Sequence, residues 1–462
     1  AAPAAQAGDV KLFGSMMHMF KIDSTPVNYI SQGGKAFKPL NFGTKIDMGF
    51  QYIASENLSG TIFIEAGGGD GSDYFGKWGT GPKMMSGTDG SPRFYIKHAY
   101  LDWLVPSTKI SVRMGLQTWL TPHWVNGPIG HAAQEVAGVV VNVPVNQMFS
   151  AQLAWFRGYA DFAITQAMGT AGGAAYYGYN GRDYFYLGGT LRGQGFIVQP
   201  WAMYDRESSH NATLDNGLAT PLPGAHTWMV GIGGQVSMFN PFVIEFNAAY
   251  GKQHNDGKIW WSNANSNGVP GFSPNQKGKG FALKANVGYK TAFGTPTLDV
   301  WYYSGDKRGE WFRTGHIPHN GGSNNIALLR TNSARFVGDG VGNPRVTGTW
   351  GAALSWKNFS FIKNATHTAV VSYWRGTNNV RYGNVARPIE ALNYMHRFAY
   401  MTTEDSYVEL DLINTWQIYP QLSFGLELAY GWANWKETAI DKASGFEMKN
   451  PWRITGGFIY NF

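Results

Sequence analysis

The chain has 462 residues, of which 44% are hydrophobic and only 15% charged, and it contains 60 glycines and no cysteine. This apolar share excludes a disordered chain, and the missing cysteines exclude disulfides, thiolate catalysis and cysteine-ligated zinc. The formal net charge of +7 is spread over single lysines and arginines rather than clusters, which argues against a nucleic-acid-binding protein.

The N-terminal segment, AAPAAQAGDV, contains no charged stretch followed by an apolar one. We interpret residues 1–8 as an N-terminal, periplasmic extension of a mature chain whose signal peptide has been removed. No later stretch has the roughly 18 consecutive apolar residues that a membrane-spanning helix requires. A bundle of membrane helices is therefore not expected.

From Asp9 onward the sequence repeats one unit, in which a run of alternating apolar and polar residues is followed by a connection. Alternation with a period of two is the pattern of a β-strand with one apolar face. The predicted strands are Val10–Ile22, Leu40–Ser55, Leu58–Gly69, Arg93–Val105, Thr108–Trp119, Ala137–Val145, Met148–Tyr159, Arg182–Leu191, Phe196–Asp205, Thr227–Phe239, Phe242–Lys252, Phe281–Phe293, Thr297–Ser304, Val346–Trp356, Ala365–Arg375, Tyr407–Ile418, Leu422–Trp435 and Pro451–Phe462.

The connections between these strands are alternately short and long. Short turns such as Glu56-Asn57 alternate with connections at 22–39, 70–90, 120–136, 160–181, 206–226, 253–280, 305–345, 376–406 and 436–450. This alternation is typical of transmembrane β-barrels, which have an even number of strands. We predict an all-β fold and a single domain over 1–462, an antiparallel up-and-down barrel of about 18 strands with short periplasmic turns and long extracellular loops. The count falls to 16 if 137–145 or 365–375 is not a strand.

Charged residues keep to one face of nearly every predicted strand. Near the C-terminus, for example, Glu427 lies on the polar face while Leu426 and Leu428 lie on the other. A lysine or arginine that faces lipid at the bilayer midplane costs about 2–4 kcal/mol, so the segregation indicates one face toward lipid and one toward a lumen. A soluble all-β binding protein is the alternative from a different class.

The predicted strand over 93–105 is an exception to this rule. Lys97 shares the parity of Leu101 and Trp103, which would place its charge on the lipid face. A β-bulge, which inserts one extra residue and shifts the parity, or a position at the membrane interface is needed there.

Tryptophans lie near the ends of the predicted strands, where amphipathic rings sit at the level of lipid headgroups. The candidates for this aromatic girdle are Trp103, Trp119, Trp155, Trp301, Trp356, Trp374, Trp416, Trp432 and Trp435.

The polar faces carry opposed sets of charges that would line the lumen. The basic set is Lys11, Lys45, Arg113, Lys284, Lys290, Arg345, Lys357 and Arg453, and the acidic set is Asp47, Glu65, Glu245, Glu409, Asp411 and Glu427. Fixed charges around a pore set its ion preference, although each residue alone could simply solvate a wide lumen. Because basic residues outnumber acidic ones in the long connections 305–345 and 376–406, we expect a mild preference for anions.

Two further segments carry aromatic side chains with an expected role. The third long connection, 120–136, has the length to fold into a barrel, and its candidate constriction residues are Trp119, His123, Trp124, His131, Gln134 and Glu135. The last predicted strand, PWRITGGFIYNF, places Phe458, Tyr460 and Phe462 on one face, and Ile459 is the one apolar residue on its polar face.

With these hairpins, this loop and this aromatic C-terminus, the chain resembles the homotrimeric porins of bacterial outer membranes. It looks most like the porins of sulfate-reducing bacteria, and the resemblance spans the whole chain without a diagnostic short motif. One departure is that 120–136 contains Glu135 alone where many general porins carry an acidic cluster, which agrees with the expected anion preference.

The resemblance carries several expectations. It implies passive diffusion of small hydrophilic solutes and ions through a water-filled pore, a homotrimer, no bound cofactor, and contact with outer-membrane lipid and lipopolysaccharide. It also implies that 120–136 forms the constriction, and that Phe458, Tyr460 and Phe462 form the signal read by the assembly machinery.

Other functions were weighed from the residues. A substrate-selective channel for sugars or small organic anions would use an aromatic track such as Trp119, Trp124, Trp301 and Tyr303. An outer-membrane enzyme is a third hypothesis, but the sequence has no nucleophile elbow, zinc-protease motif, phosphate-binding loop or dinucleotide fingerprint. No enzyme is therefore expected.

One glycine-rich stretch, GGGDGSDYFG, offers Asp70 and Asp73 as candidate calcium ligands, because calcium prefers clustered oxygen donors. A plain solvated loop explains the same residues. His316 and His319 flank Pro318, which spoils the helical geometry of a metal site, so we expect no metal there.

Overall fold

The computed structural model describes residues 8–23, 40–67, 76–77, 94–125, 132–160, 181–208, 210–213, 219–222, 224–255, 259–260, 272–273, 278–307, 328–329, 348–380, 401–436 and 450–462. Within these ranges, 18 long strands pair antiparallel with their neighbours in one closed sheet. The strands are β1 (Asp9–Asp23), β2 (Asn41–Ser55), β3 (Leu58–Ala66), β4 (Phe94–Leu104), β5 (Ser111–Leu120), β6 (Ala132–Pro144), β7 (Phe149–Ala160), β8 (Gly181–Gly193), β9 (Phe196–Glu207), β10 (Ala225–Val236), β11 (Phe242–Asn255), β12 (Lys279–Tyr289), β13 (Thr295–Tyr303), β14 (Thr349–Phe359), β15 (Ala365–Gly376), β16 (Ser406–Tyr419), β17 (Leu422–Asn434) and β18 (Trp452–Asn461).

The predicted fold class is confirmed, and each of the eighteen predicted runs corresponds to one of these strands. The two segments on which the count of 16 depended are both strands, β6 and β15, so that alternative is wrong. β6 starts at Ala132, five residues before the predicted start at Ala137. The connection before β6 is correspondingly shorter than predicted.

The barrel closes where β1 pairs with β18, with Met16 opposite Tyr460 and Ile22 opposite Ile454. Beyond the end of β18, Gly14 and Phe462 exchange backbone hydrogen bonds of 2.9 and 3.1 Å. We call this junction the seam. Closure leaves no sheet edge unpaired, as a sheet surrounded by lipid requires.

The alternating residues of each strand lie on two faces, one toward the lumen of the barrel and one on its outside. On β12, Phe281 and Leu283 are each 48% exposed on the outer face. The next residue, Lys284, lies on the lumen face and is only 1% exposed. Ile459 on β18, the apolar residue on a polar face, packs inside the barrel against Met19 and Met17 of β1.

The exception over 93–105 is resolved by a bulge. Ile64 pairs with Ile96 and Phe63 pairs with His98, so that Lys97 is the extra residue of β4. Its ammonium reaches the Glu65 carboxylate on the lumen side. The bulge therefore keeps the charge off the outer face.

Outward-facing aromatic rings form much of the predicted girdle. Trp103, Trp155, Trp356, Trp416 and Trp432 are exposed on the outside of the barrel. Trp119, Trp301 and Trp374 were assigned to the girdle wrongly, because they lie on the lumen faces of their strands and are at most 5% exposed.

Short strands extend the barrel at its long-connection end. Gly76–Lys77 pairs with β2, His210–Thr213 pairs with Ala219–Leu222, and Ile259–Trp260 pairs with Phe272–Ser273. In the part of the chain that the structure describes, no helix is long and apolar enough to cross a membrane.

Candidate functional site

The lumen wall carries a four-residue charge cluster on β2, β3 and β4. Lys45 Nζ lies 2.9 Å from Glu65 Oε2 and 3.4 Å from Asp47 Oδ2. Lys97 pairs with the same Glu65 carboxylate. Two lysines thus face two carboxylates, which leaves the cluster close to neutral.

A second cluster, on β16 and β18, holds part of the long connection between β13 and β14. Leu329 donates its N–H to Glu409 Oε1 at 2.6 Å, and Leu328 donates to Asp411 Oδ2 at 3.3 Å. The Arg453 guanidinium donates to the carbonyl oxygen of Leu328. Both leucines are almost completely buried. We call residues 328–329 the inward segment, because they lie against the lumen wall.

Two more ion pairs line the lumen, and of their four residues only Arg113 was predicted as a lumen charge. Arg113 binds Asp102 through hydrogen bonds of 2.7 and 3.0 Å, and Arg182 binds Asp205 through bonds of 2.6 to 3.1 Å. Arg113 and Asp102 are directly opposite each other in the β4–β5 hairpin. Opposite charges at mirrored positions of one predicted hairpin are the signal that would have found this pair.

The other predicted lumen cations occupy different positions. Lys284 is buried on the lumen face of β12, and Lys357 Nζ lies 3.8 Å from Asp299 Oδ2. Lys11 is exposed on β1. Lys290 is exposed in the turn after β12, which ends at Tyr289, so its prediction as a wall residue is wrong.

The remaining predicted acidic residues also face the lumen. Glu245 Oε1 accepts a hydrogen bond from Gln235 Nε2 at 3.0 Å, and its Oε2 accepts one from Asn286 Nδ2 at 2.9 Å. Glu427 is buried on β17, between the strands that carry the second cluster. Both carboxylates therefore belong to the wall.

The third connection folds into the lumen and binds β9, β10 and β11. Asn247 Oδ1 accepts the N–H groups of Trp124 at 2.9 Å and Val125 at 3.0 Å, and Asn247 Nδ2 donates to the carbonyl of Pro122 at 2.7 Å. The Trp124 indole donates to Gln199 Oε1 at 2.8 Å. One asparagine side chain thus holds three residues of the connection, Pro122, Trp124 and Val125, within the lumen.

A glycine makes room for this crossing. A Cβ on Gly233 of β10 would lie 3.0 Å from Trp124 Cδ1 and 2.9 Å from Asn247 Nδ2. The indole therefore packs directly over the wall, and a side chain at Gly233 would push it inward.

The predicted constriction residues do not all lie in this connection. Trp119 belongs to β5, and Gln134 and Glu135 belong to β6, so their assignment to a loop is wrong. The error arises because β6 starts earlier than its apolar run. His123 is in the connection and is exposed.

Aromatic rings pack together on the lumen face. Trp119 lies 4.8 Å from Phe156 and 5.1 Å from Tyr186, and Trp301 lies 4.2 Å from Trp374, between ring centroids. All of these rings are buried. They act as packing within the barrel, with little ring surface open to solvent.

The three rings of the expected assembly signal lie at the seam. Phe458, Tyr460 and Phe462 are exposed on the outer face. Phe458 packs on Phe424 of β17 with ring centroids 5.1 Å apart, and the Phe462 ring lies over Gly14 of β1. The signal's rings thus contact strands on both sides of β18.

Polar contacts tie the long connections together where they leave the barrel. The buried Asn378 side chain accepts the N–H of Asp306 at 2.8 Å, and Asp405 Oδ1 accepts the N–H of Lys436 at 2.8 Å. Outside the strands, hydrogen bonding to the Glu404 carboxylate, 2.7 Å from Nζ, raises the pKa of Lys436. The base of this end of the barrel is therefore fixed by side-chain contacts.

Several predicted site residues lie outside the described residues. These are Arg345, His131, Asp70, Asp73, His316 and His319. Among the residues that are described, no group of three or more histidine, aspartate or glutamate side chains could hold a metal ion.

No protein-family model and no curated protein sequence matches the chain. Solved structures share its fold. Pseudomonas aeruginosa OccK9 (OpdG) matches with a TM-score of 0.53 at 10% identity, over 98% of this chain and 99% of that one. Acinetobacter baumannii OccAB1 matches with a TM-score of 0.51 at 11% identity, over 99% and 100%. The outer membrane protein OprD from Pseudomonas aeruginosa matches with a TM-score of 0.50 at 11% identity, over 99% and 96%. At these identities the similarity establishes the fold.

Proposed function

We propose that this protein is a passive porin of a bacterial outer membrane, a water-filled pore for small hydrophilic solutes and ions. The observation that carries the proposal is the closed barrel of 18 strands with an apolar outside and a charged, polar inside. Barrels of 16 to 18 strands are wide enough to leave an aqueous channel. The short turns then face the periplasm and the long connections face outward. The proposal assigns the protein no catalytic role.

Two segments narrow this pore from different sectors of the wall. Residues 122–125 lie on β9–β11, and the inward segment lies on β16–β18. The expected constriction at the third connection is thus joined by a second one. A pore narrowed in this way passes small solutes and retards larger ones.

Ion selectivity should be weak, because most of the described lumen charges are paired with the opposite sign. Arg113, Arg182, Lys45 and Lys357 all have carboxylate partners within 4.0 Å. A mild anion preference stays a prediction that depends on basic residues of the long connections. Reversal potential under a salt gradient measures it.

A substrate-selective channel with an aromatic track receives less support. A track must expose ring faces to passing solute, whereas Trp119, Trp301 and Tyr303 are at most 5% exposed. Trp124 is the one proposed track residue that is partly exposed. Saturable block of the single-channel current by a sugar would favour the substrate-selective channel over the passive porin.

Three further expectations belong to the proposal. The protein assembles as a homotrimer, it needs no cofactor, and its outer face contacts membrane lipid, including lipopolysaccharide. The outward aromatic rings and the apolar outer face support the lipid contact.

Single-channel recording tests the proposal directly. Protein extracted with detergent and shown to be folded by heat-modifiable gel mobility is added to planar bilayers in potassium chloride. We expect stepwise ohmic conductance, with closures in groups of three if the porin is a trimer. Folded protein that gives no conductance would overturn the porin proposal, and single-step closures would overturn the trimer.

A further inference from the structure

Basic side chains cluster on the outer face of the barrel at its long-connection end, on four neighbouring strands. On these strands, basic side chains and exposed aromatic rings occupy successive outward positions. Arg206 has the same parity as Tyr204, and Lys252 has the same parity as Tyr250. We define the basic sector as the five outward cationic or titratable residues of β9–β12: Arg206, His226, Lys252, His254 and Lys279.

The basic sector places two lysines directly opposite each other, and its other three members on adjacent strands. Lys252 pairs with Lys279 across β11 and β12, and His226 lies between Arg206 and His254. Opposed side chains in such pairs have Cβ atoms about 4.5–5.5 Å apart, and like charges there are destabilising. Among the described residues, no carboxylate forms an ion pair with Arg206, Lys252 or Lys279.

The carboxylate that lies opposite Arg206 is already engaged. Asp183 is opposite Arg206 in the β8–β9 register, but Arg157 binds both of its oxygens, at 2.7 and 3.2 Å. The Trp155 indole donates to the same carboxylate at 3.0 Å. Among the described residues, the two lysines therefore have no carboxylate that compensates their charge.

Aromatic rings place the basic sector at the membrane interface. Trp228 is opposite Lys252 and packs 5.6 Å from Tyr250, and Phe281 stacks on Tyr302 at 5.3 Å. Rings of this kind sit at the level of lipid headgroups. The cations lie at this level or just beyond it, on the side of the long connections.

We propose that the basic sector is a binding site for the phosphate-bearing headgroup of a lipid in the surrounding leaflet. The occupant is a lipid because the site continues directly into the apolar outer face, and its headgroup is anionic because it would offset the charge of two opposed lysines that no described carboxylate binds. Neighbouring strands are about 4.8 Å apart, so the sector spans roughly 15 Å and can contact more than one phosphate. The inference rests on the proposed function, since this face must border lipid.

Native mass spectrometry of the full-length protein in detergent tests the site. A bisphosphorylated lipid A is titrated against the wild type and against Lys252→Gln/Lys279→Gln. We expect the double variant to bind the lipid about tenfold more weakly or worse, since each basic residue near a membrane surface contributes appreciably to anionic-lipid attraction. Lys290→Gln/Lys363→Gln, which removes two exposed lysines from short turns at the other end, should bind as the wild type does.

Two further arms identify the source of the phosphate. The fully dephosphorylated lipid should bind wild type and double variant equally weakly, and inorganic phosphate at matched concentration should not displace the lipid. Equal binding of the bisphosphorylated lipid by wild type and double variant, or displacement by inorganic phosphate, would overturn the inference.

Folding and function are separated by two controls. Heat-modifiable mobility confirms that the double variant is folded, and Arg206→Gln alone should weaken lipid binding in the same direction. Unchanged lipid binding with intact conductance would overturn this inference alone, whereas folded protein without conductance would overturn the porin proposal.

Discussion

The backbone N–H of Leu329 donates to Glu409 Oε1 at 2.6 Å, across 80 positions of the chain. A wall carboxylate thus holds the inward segment inside the lumen, with Asp411 and Arg453 on the neighbouring peptide groups. A buried N–H that loses its acceptor costs about 1–3 kcal/mol, so these bonds are costly to break. The lumen charges therefore have a structural task, which is to fix the chain that narrows the pore.

Glu409→Gln/Asp411→Asn should loosen this segment. Each amide adds an NH2 group beside the backbone N–H groups and the Arg453 guanidinium, and a buried polar group left without a partner costs about 1–3 kcal/mol. We expect single-channel current that is larger on average and visibly noisier. Glu245→Gln is the matched control, because side-chain amides rather than a loop contact that carboxylate. Identical current noise in the double variant and the wild type would contradict the anchoring role.

Asn247→Ala should release the third connection from the wall. The change removes three hydrogen bonds, to Trp124, Val125 and Pro122, at a cost of about 1 kcal/mol each. We expect higher conductance and faster uptake of sugars in a liposome-swelling assay, with the barrel still folded. Asn286→Ala, on the same lumen face one strand away, should leave both unchanged. Wild-type uptake rates in Asn247→Ala would show that the connection does not limit diffusion.

The strands could be predicted from the sequence, but the inward segments could not. A period of two is a local signal, and it survives in β6 and β15, the two doubtful runs, because their outward residues still alternate with lumen residues. The partner of Val125 is Asn247, 122 positions away. Such a contact depends on how the barrel closes, which no local pattern encodes.

For the charged residues, the face of the strand could be predicted from the sequence, but the partner of each charge could not. Parity alone separated lumen from lipid, and Lys97 signalled a bulge because its charge had the wrong parity. The partners of these charges needed the register as well, so that Asp102 opposite Arg113 was not identified. Lys290 was placed in the wall because the alternating run extends to Phe293 in the sequence, whereas the strand ends at Tyr289 and the chain turns there.

Glu65→Gln should destabilise the barrel and shift its selectivity. The substitution leaves Lys45 and Lys97 with Asp47 as their remaining carboxylate in the cluster. Removing one partner from a buried ion pair costs about 3–5 kcal/mol, measurable by urea unfolding in micelles. The reversal potential under a salt gradient should shift in the direction of greater anion selectivity. Glu56→Gln, an exposed change in the β2–β3 turn, should alter stability by no more than about 0.5 kcal/mol.

Gly14→Val should open the seam, whereas Gly60→Val should be harmless. A Cβ on Gly14 would lie 2.3 Å from the carbonyl oxygen of Asp47 and 2.8 Å from Phe462 Cζ. One on Gly60 would meet no atom of the described residues closer than 4.0 Å. Forcing a side chain into a filled site costs about 1–3 kcal/mol, and valine is otherwise favoured in strands. We expect Gly14→Val to lose heat-modifiable mobility at a lower temperature than the wild type, and Gly60→Val to match or exceed the wild type. Equal stability of the two variants would mean that the β1–β18 junction is not closely packed at Phe462.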